Sequence, residues 1–598
     1  MAGTGLIEAV GARLDAAAPP RPSREPRAFA ALCAGSVAFS AWFIWRASFR
    51  VGGWLTFALW DDAMISMRYG RNLAAGDGLV WNPGGERVEG ITNPLWTVWM
   101  AALHLLPVHS LKISLLVMVS GAAAVVAALW VVRRLAKELA PGDDTVAIAA
   151  VAVAATFFPL AFWSVSGMEV GALAWVIGVL ALYAVRLAHA DQGSDHDRRR
   201  ILWVLGAAGV AAVALRLDAV VPVALVAAWC GWQDRRPDGR WRTTALVGAP
   251  PLAALVAMTA LRRAYYGDWL PNTYYLKATG TPLGERLGAG LYAFDHTLLA
   301  GLGFAVLAGL WALRGPGPAA RWLLAGLVAG QAAYSIWVGG DAWELLLFAN
   351  RYLSVAVVPL AVLAGLGVRR VGASPRGLAT FGALAGVLAA GRWFRFGQAP
   401  GGPHLASTSA VLAVAVVFVV ASAGVAAAAR RGRLRVGPRP LAAGALVAVI
   451  VLGNLHAVVN WWRVPMVVEA SLAREGWAIE QTTEPDTVIA VWIAGTEPYF
   501  AERPAVDLYG KSDRHIAHLP QTTDSFRPGH TKYDLAWSLR TYRPDLVQTP
   551  GGFADDDATV AMLERQGYEP LAGTLWVRRD STNVHRAALR RALFAANS

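Results

Sequence analysis

Apolar residues fall into long runs along most of the chain. Ala28 to Phe49 is almost wholly apolar, and similar runs follow near 111–132, 145–163, 167–186, 201–216, 218–233, 243–262, 297–313, 319–338, 352–369, 376–392, 405–429 and 440–462. A helix of about 20 residues crosses the ~30 Å of a bilayer's hydrocarbon, so the pattern predicts membrane-spanning helices. Alternate connections carry cationic clusters: Arg133-Arg134 with Lys137, Arg198 to Arg200, Arg235-Arg236 with Arg240 and Arg242, Arg314 with Arg321, Arg369-Arg370, and Arg430-Arg431 with Arg433 and Arg435. This alternation follows the rule that basic loops stay inside. Arg262-Arg263 and Arg392 with Arg395 fall on the other side, and the short runs 201–216 and 218–233 flank Arg216 and Asp218, so the count is eleven to thirteen spans. Past Trp462 the pattern changes. Segments such as Thr487–Ile493 have strand length and are set off by Pro and Gly, which predicts a small α/β domain.

The chain therefore divides into a cytoplasmic tail (1–27), a transmembrane domain (28–462) with an outer loop at 50–110, and an extracytoplasmic α/β domain (463–598). The basic leader before residue 28 lacks a small-residue cleavage site, which predicts an uncleaved anchor of a multi-pass plasma-membrane protein.

Composition agrees. Hydrophobic residues make up 56% and charged residues 16%, against about 25% charged in a soluble domain. Two cysteines, Cys33 and Cys230, both inside apolar runs, exclude a disulfide scaffold. The net charge of +13 is uneven: residues 463–598 hold 15 basic and 18 acidic groups, so the excess lies in the short loops of the apolar part. That placement argues for membrane orientation and against nucleic-acid binding.

The outer loop concentrates candidate chemistry. Asp61-Asp62 opens a predicted helix that Gly76 and Gly78 would end. Arg68 and Arg71 follow, then Glu86 and Glu89 and the string Thr92-Asn93-Pro94-Leu95-Trp96. An acidic pair at a helix start can serve simply as a cap. Two adjacent carboxylates at an apolar surface are also where carboxyl pKa values rise toward base strength. Adjacent residues on a helix point different ways, so one Asp would act as base and the other would position a substrate or cation.

The order Asp61-Asp62, Arg68-Tyr69-x-Arg71-Asn72, Gly76-x-Gly78-Leu79-Val80-x-Asn82 and Gly85-Glu86-Arg87-Val88-Glu89-Gly90-x-Thr92-Asn93-Pro94 resembles the GT-C glycosyltransferases. It is most similar to the terminal β-(1→2) arabinofuranosyltransferases of mycobacterial arabinan. Further pieces keep their order: Ser166–Glu169, Arg216-Leu217-Asp218 (where the family suggests Arg-Pro-Glu), Tyr265–Gly267, Leu270–Lys277, Gly339–Asp341, Asn350–Tyr352, and Asp507–Gly510 with His515.

The resemblance implies a GT-C fold and an inverting transfer of a sugar, arabinofuranose first, from polyprenyl phosphate to a cell-envelope glycan such as arabinan, by a monomer at the outer membrane face. Asp61 or Asp62 would be the base. A divalent cation (Mg, Mn or Ca) on the pair is compatible with the family, although two oxygen ligands do not define a site. Arg68, Arg71, Arg216, Lys277 and Arg351 are candidates for the donor phosphate, and Asp341, Glu169, Asn272 and Tyr275 for the sugar. Trp81, Trp96 and Trp343 would stack on sugar rings. Each Arg or Lys can equally snorkel to the interface, and Asp218 can simply pair with Arg216. Other readings are a mannosyl- or aminoarabinose-type transferase acting on protein or lipid, a lipid-linked sugar transporter, and a glycan-binding role for residues 463–598.

Overall fold

The computed structural model describes residues 24–189, 195–341, 350–396, 466–524, 526–549 and 556–597, with scattered positions between 413 and 448. The runs 405–429 and 440–462, and Trp343, lie outside the described residues.

Every apolar run from 28–49 to 376–392 lies on described helices. Helix α1 (Glu25–Arg46) leads into a hairpin, β1 (Ser48–Val51) and β2 (Trp54–Phe57), turned by Gly52-Gly53 with φ of +54° and +83°. Two left-handed residues in a two-residue turn are what glycine supplies without cost. The rest of the outer loop is α2 (Asp61–Ala75) and α3 (Pro94–His104), which pack on each other.

The helical body continues with α4 (Ile113–Leu139), α5 (Asp144–Thr156), α6 (Phe158–Val165), α7 (Val170–His189), α8 (Asp195–Leu215), α9 (Val220–Gln233) and α10 (Gly239–Tyr266). After it come α11 (Asn272–Ala278), α12 (Leu283–Thr297), α13 (Gly303–Leu313), α14 (Ala320–Val338), α15 (Arg351–Ser354), α16 (Val357–Val371) and α17 (Pro375–Phe396). By length and apolarity alone α1, α4, α7 and α10 are each able to cross a membrane, and α5 with α6 forms one further span bent by 52°. The bend falls at Phe157-Phe158-Pro159, where proline opens the second helix. The large apolar side chains of α10 face outward (Leu252, Val256, Leu261), as a lipid-facing helix requires.

Helix lengths separate two ends of this body. At one end Glu25 bonds Arg133 and Lys137, Asp234 bonds Arg198 and Arg236, and Arg369 approaches Asp143. The opposite helix ends carry Asp62, Glu169, Arg216 and Arg351.

There the second unit sits: α18 (Val467–Thr482), β3 (Ile489–Val491), α19 (Thr496–Ala501), β4 (Ala505–Asp507), α20 (Arg514–His518), α21 (Leu535–Tyr542), β5 (Leu546–Gln548), α22 (Asp556–Arg565), β6 (Tyr568–Ala572), β7 (Leu575–Arg578) and α23 (Arg586–Asn597). Its sheet has the order β4-β3-β5-β7-β6, parallel at β4-β3-β5 and antiparallel at β5-β7-β6. Buried residues of β3, β5 and β7 (Ile489, Val491, Leu546, Val577) pack with α18, α23 and the α2 loop in one core; Trp492, Val547, Leu535 and Leu563 form the core of the other face. The unit docks on α2 through α19, and on α11 through α20.

Candidate active site

Asp61 and Asp62 open α2, as the sequence predicts, but do different work. Asp61 points at the outer unit. Its carboxylate accepts the backbone N–H of Gly495 (3.1 and 3.2 Å) and Thr496 (2.6 Å). Only glycine fits at 495, because a Cβ there would lie 2.0 Å from the Asp61 carbonyl oxygen. Burial pushes the Asp61 carboxyl up to about 6, against the opposing pull of Lys511 and the Thr496 N–H.

Asp62 instead lines a cavity of about 360 Å³ between the helical body and the outer unit. Its Oδ2 accepts Arg351 Nη1 at 2.7 Å and its Oδ1 accepts Lys511 Nζ at 3.1 Å. Burial would raise this carboxyl, but the charges of Lys511, Arg351 and Lys277 outweigh it and hold it well below the usual carboxylate range. A joint cation site on the two aspartates does not fit this arrangement: both Asp62 oxygens already face cations, and both Asp61 oxygens face backbone N–H groups.

Each cation is positioned by its own support. Arg351 at the start of α15 forms two 2.8 Å bonds to the carboxylate of Asp341 and lies over the Trp163 ring. Such bidentate pairing fixes a guanidinium in plane. Lys511 sits in the turn after β4, where Asp507 accepts the N–H groups of Tyr509, Gly510 and Ser512. The Nδ2 of Asn272 donates to the carbonyls of Gly510, Lys511 and Asp513, binding α11 to that turn. Burial would depress the Lys511 amine, yet Asp62, Asp61 and Asp507 raise it overall, so it stays charged. Half-buried His530, which also faces Asp62, is pushed well down by desolvation and by Lys511 and Arg527. Lys277, on the last turn of α11, lines the cavity with no hydrogen bond or ion pair among the described residues.

Glu169 and Arg216 are brought to the same cavity region. Arg216 bonds Glu169 (2.7 Å) and Asp218 (2.8 Å) and lies over Tyr352, while Asn93 donates to the other Glu169 oxygen. Val220, Leu270 and Trp337 give the cavity an exposed apolar margin.

Several expected site residues lie elsewhere. Buried Arg68 spends its guanidinium on the carbonyls of Trp81, Pro498 and Arg503 and on Asn82 Oδ1, so it staples the outer unit and does not reach the cavity. Arg71 faces Tyr499 and Glu502 in that unit. The Nδ2 of Asn272 is spent on the turn it holds. Tyr275 stacks on His518 at 4.2 Å, and its neighbour Tyr274 lines the cavity instead. Trp81 and Trp96 are core residues whose indole N–H groups donate to the carbonyls of Ala494 and Gly167. Lys511 escaped the sequence reading, although it directly follows the Asp507–Gly510 motif.

The chain is 29% identical over 374 residues to a terminal β-(1→2)-arabinofuranosyltransferase of Corynebacterium glutamicum, covering 56% of this chain and 51% of the relative. The chain thus spans about half the length of the curated relative it matches. Residues 465–588 match a domain of unknown function, DUF8728. In structure the chain is similar to ArnT from Cupriavidus metallidurans bound to undecaprenyl phosphate, with a TM-score of 0.57, 15% identity, and coverage of 92% of this chain and 98% of that one. It is also similar to the archaeal oligosaccharyltransferase AglB from Archaeoglobus fulgidus, in complex with an inhibitory peptide and a dolichol-phosphate, at a TM-score of 0.48 and 12% identity, covering 81% of this chain and 65% of that one. The fold is therefore the GT-C fold that the first-loop motif resembles, and the sequence relative is an arabinofuranosyltransferase as that motif anticipates.

Proposed function

We propose that this chain is an inverting glycosyltransferase that moves a sugar, arabinofuranose in our reading, from polyprenyl phosphate to a hydroxyl of a cell-envelope glycan at the outer face of the plasma membrane. The observation that carries the proposal is the cavity itself. Of the adjacent aspartates only Asp62 faces it, surrounded by Lys277, Lys511 and Arg351 from three separate elements. One carboxylate amid several cations suits a reaction that needs both a proton acceptor and a binding site for a departing phosphate.

The acceptor oxygen forms a bond to the anomeric carbon, and its proton passes to Asp62. The bond from that carbon to the phosphate oxygen breaks, and its electron pair leaves with polyprenyl phosphate. The free Lys277 and the cations on Asp62 take the phosphate charge. Each cation drawn from Asp62 toward phosphate lets the Asp62 carboxyl rise, so donor binding itself improves the base. Asp61 has the higher pKa but the wrong position, and geometry takes precedence over pKa in choosing a base. Val220, Leu270 and Trp337 offer an apolar approach for a polyprenyl chain. In this reading the basic, ion-paired helix ends face the cytoplasm, and the cavity and the outer unit lie outside.

The test is transfer by purified protein in lipid, from synthetic polyprenyl-phosphate-arabinofuranose to a short arabinan. Asp62→Asn should abolish transfer with the fold intact, while Asp61→Asn retains part of it. Undiminished transfer by Asp62→Asn removes Asp62 as the base; transfer only from a different lipid-linked sugar removes arabinofuranose.

A further inference from the structure

The two sides of the cavity differ in chemistry. One carries Lys277, Lys511 and Arg351 around Asp62. The other is a chain of acceptors bound to a single guanidinium, with Arg216 bridging Glu169 and Asp218. Both oxygens of Glu169 are engaged, one taking Arg216 Nη1 at 2.7 Å and the other Asn93 Nδ2 at 2.7 Å. Only one oxygen of Asp218 is engaged. Its Oδ1 takes Arg216 Nε at 2.8 Å, while its Oδ2 is buried without a hydrogen-bond donor among the described residues. The side chain is only 6% exposed and lines the cavity wall.

A buried acceptor left without a donor is costly, and native structures rarely leave one without a purpose. Asp218 is the middle residue of the short turn at 217–219 that joins α8 to α9, so its position is fixed by the two flanking helices and by Arg216. A second cation does not suit Oδ2, because it would lie beside the Arg216 guanidinium. A neutral hydroxyl does.

We infer that Asp218 is the residue that reads the donor sugar, with Oδ2 accepting a hydrogen bond from one ring hydroxyl of a neutral sugar whose phosphate lies at the Lys277–Lys511–Arg351 side. This rests on the donor proposed above. The assignment gives Asp218 a part in selecting the sugar and none in the proton transfer, so its loss should fall on KM and on donor choice more than on kcat.

The experiment compares wild type with Asp218→Asn, which keeps an acceptor for Arg216 but turns an N–H₂ toward the cavity. Binding is measured first for undecaprenyl phosphate without sugar, then for polyprenyl-phosphate-arabinofuranose, its monodeoxy analogues, and an amino-sugar donor. The expected result is unchanged binding of the bare lipid phosphate and a loss of about ten- to a hundredfold in affinity for the full donor. One monodeoxy donor should bind wild type equally weakly, yet lose nothing further on the variant, because the two changes remove the same hydrogen bond. If the amide variant does not fold, Asp218→Glu, which keeps the charge and displaces the acceptor by one methylene, carries the same comparison. Full donor affinity in the variant, or equal losses for every deoxy donor on both proteins, overturns the assignment. Preference of wild type for the amino sugar overturns the neutral hydroxyl. Failure of wild type to bind undecaprenyl phosphate at all overturns the donor reading, and this inference falls with it.

Discussion

Lys511 belongs to the outer unit yet touches the carboxylate of Asp62, so Lys511→Met isolates what that unit contributes to chemistry. Methionine keeps most of the length and apolar bulk and removes only the charge. The amine lies 3.1 Å from Asp62 Oδ1, and both side chains are largely buried. Two unit charges about 4 Å apart attract by about 4 kcal/mol at an effective dielectric of 20. Part of that gross attraction is offset, because a buried ammonium no longer needs to be desolvated. Arg351 still holds the other Asp62 oxygen, so the carboxylate is not left bare. Two consequences follow. Loss of one preorganised cation at the departing phosphate should lower kcat by about 10²–10³. The Asp62 carboxyl, freed of its largest charge partner, should also move upward. In wild type this depressed group keeps its charge below the ordinary carboxylate range, so activity persists until the pH falls beneath that range. In the variant the acid limb of kcat/KM should therefore shift to higher pH. The assay is sugar transfer across a pH series, with Lys511→Arg expected to restore part of the rate. A Lys511→Met enzyme with wild-type kcat and an unmoved acid limb would refute the reasoning.

Arg68→Leu should destabilise the protein by about 3–5 kcal/mol, because the carbonyls of Trp81, Pro498 and Arg503 lose a charged donor in a buried setting; a thermal melt in detergent checks this, with donor affinity of the surviving fold unchanged. Gly495→Ala puts a methyl 2.0 Å from the Asp61 carbonyl oxygen and should loosen the seating of the outer unit on α2 at a cost of about 1–3 kcal/mol, visible as faster proteolysis of that unit and reduced transfer. Glu469 is pushed by burial up to about 8. A group raised in the fold stabilises it at low pH and loses that contribution as pH rises from its unfolded value of 4.5 through 8, so Glu469→Gln should flatten the decline and gain on the order of a few kcal/mol over wild type above pH 8, read from melting temperature against pH.

The helical body was legible because lipid-facing and core helices share one signal, an apolar run of the right length, and the runs from 28–49 to 376–392 all lie on helices. The outer loop was legible as a concentration of charged and aromatic residues but not as a structure. The partners of Arg68, Arg71 and Trp81 lie more than 400 positions away, which no local pattern reveals. Arg68, Arg71 and Trp81 are polar or aromatic for the same reason a binding site would be, yet they are spent on docking, and Asn72 is spent on the carbonyls of Val80 and Trp81 within the loop. Asp61 and Asp62 show the limit most sharply. Helical geometry required them to diverge, and only the packed outer unit decides which one meets the cavity. Lys277 and Arg351, which line the cavity, were recoverable because they sit in the pieces Leu270–Lys277 and Asn350–Tyr352 at predicted ends of apolar runs. Asp218 was read as a mere partner of Arg216; its second oxygen has no signature in sequence.

The bond between Lys511 and Asp62 joins residues 449 positions apart. A ribosome completes Asp62 long before Lys511, so during synthesis the carboxylate exists well before one of the cations that face it. Until the outer unit folds onto α2, Asp62 lacks one of the cations that define its charge state, and Asn272 lacks the turn it holds. Maturation of the site is thus a late event in biogenesis, and a chain released short of residue 511 would insert its helices without completing the cavity.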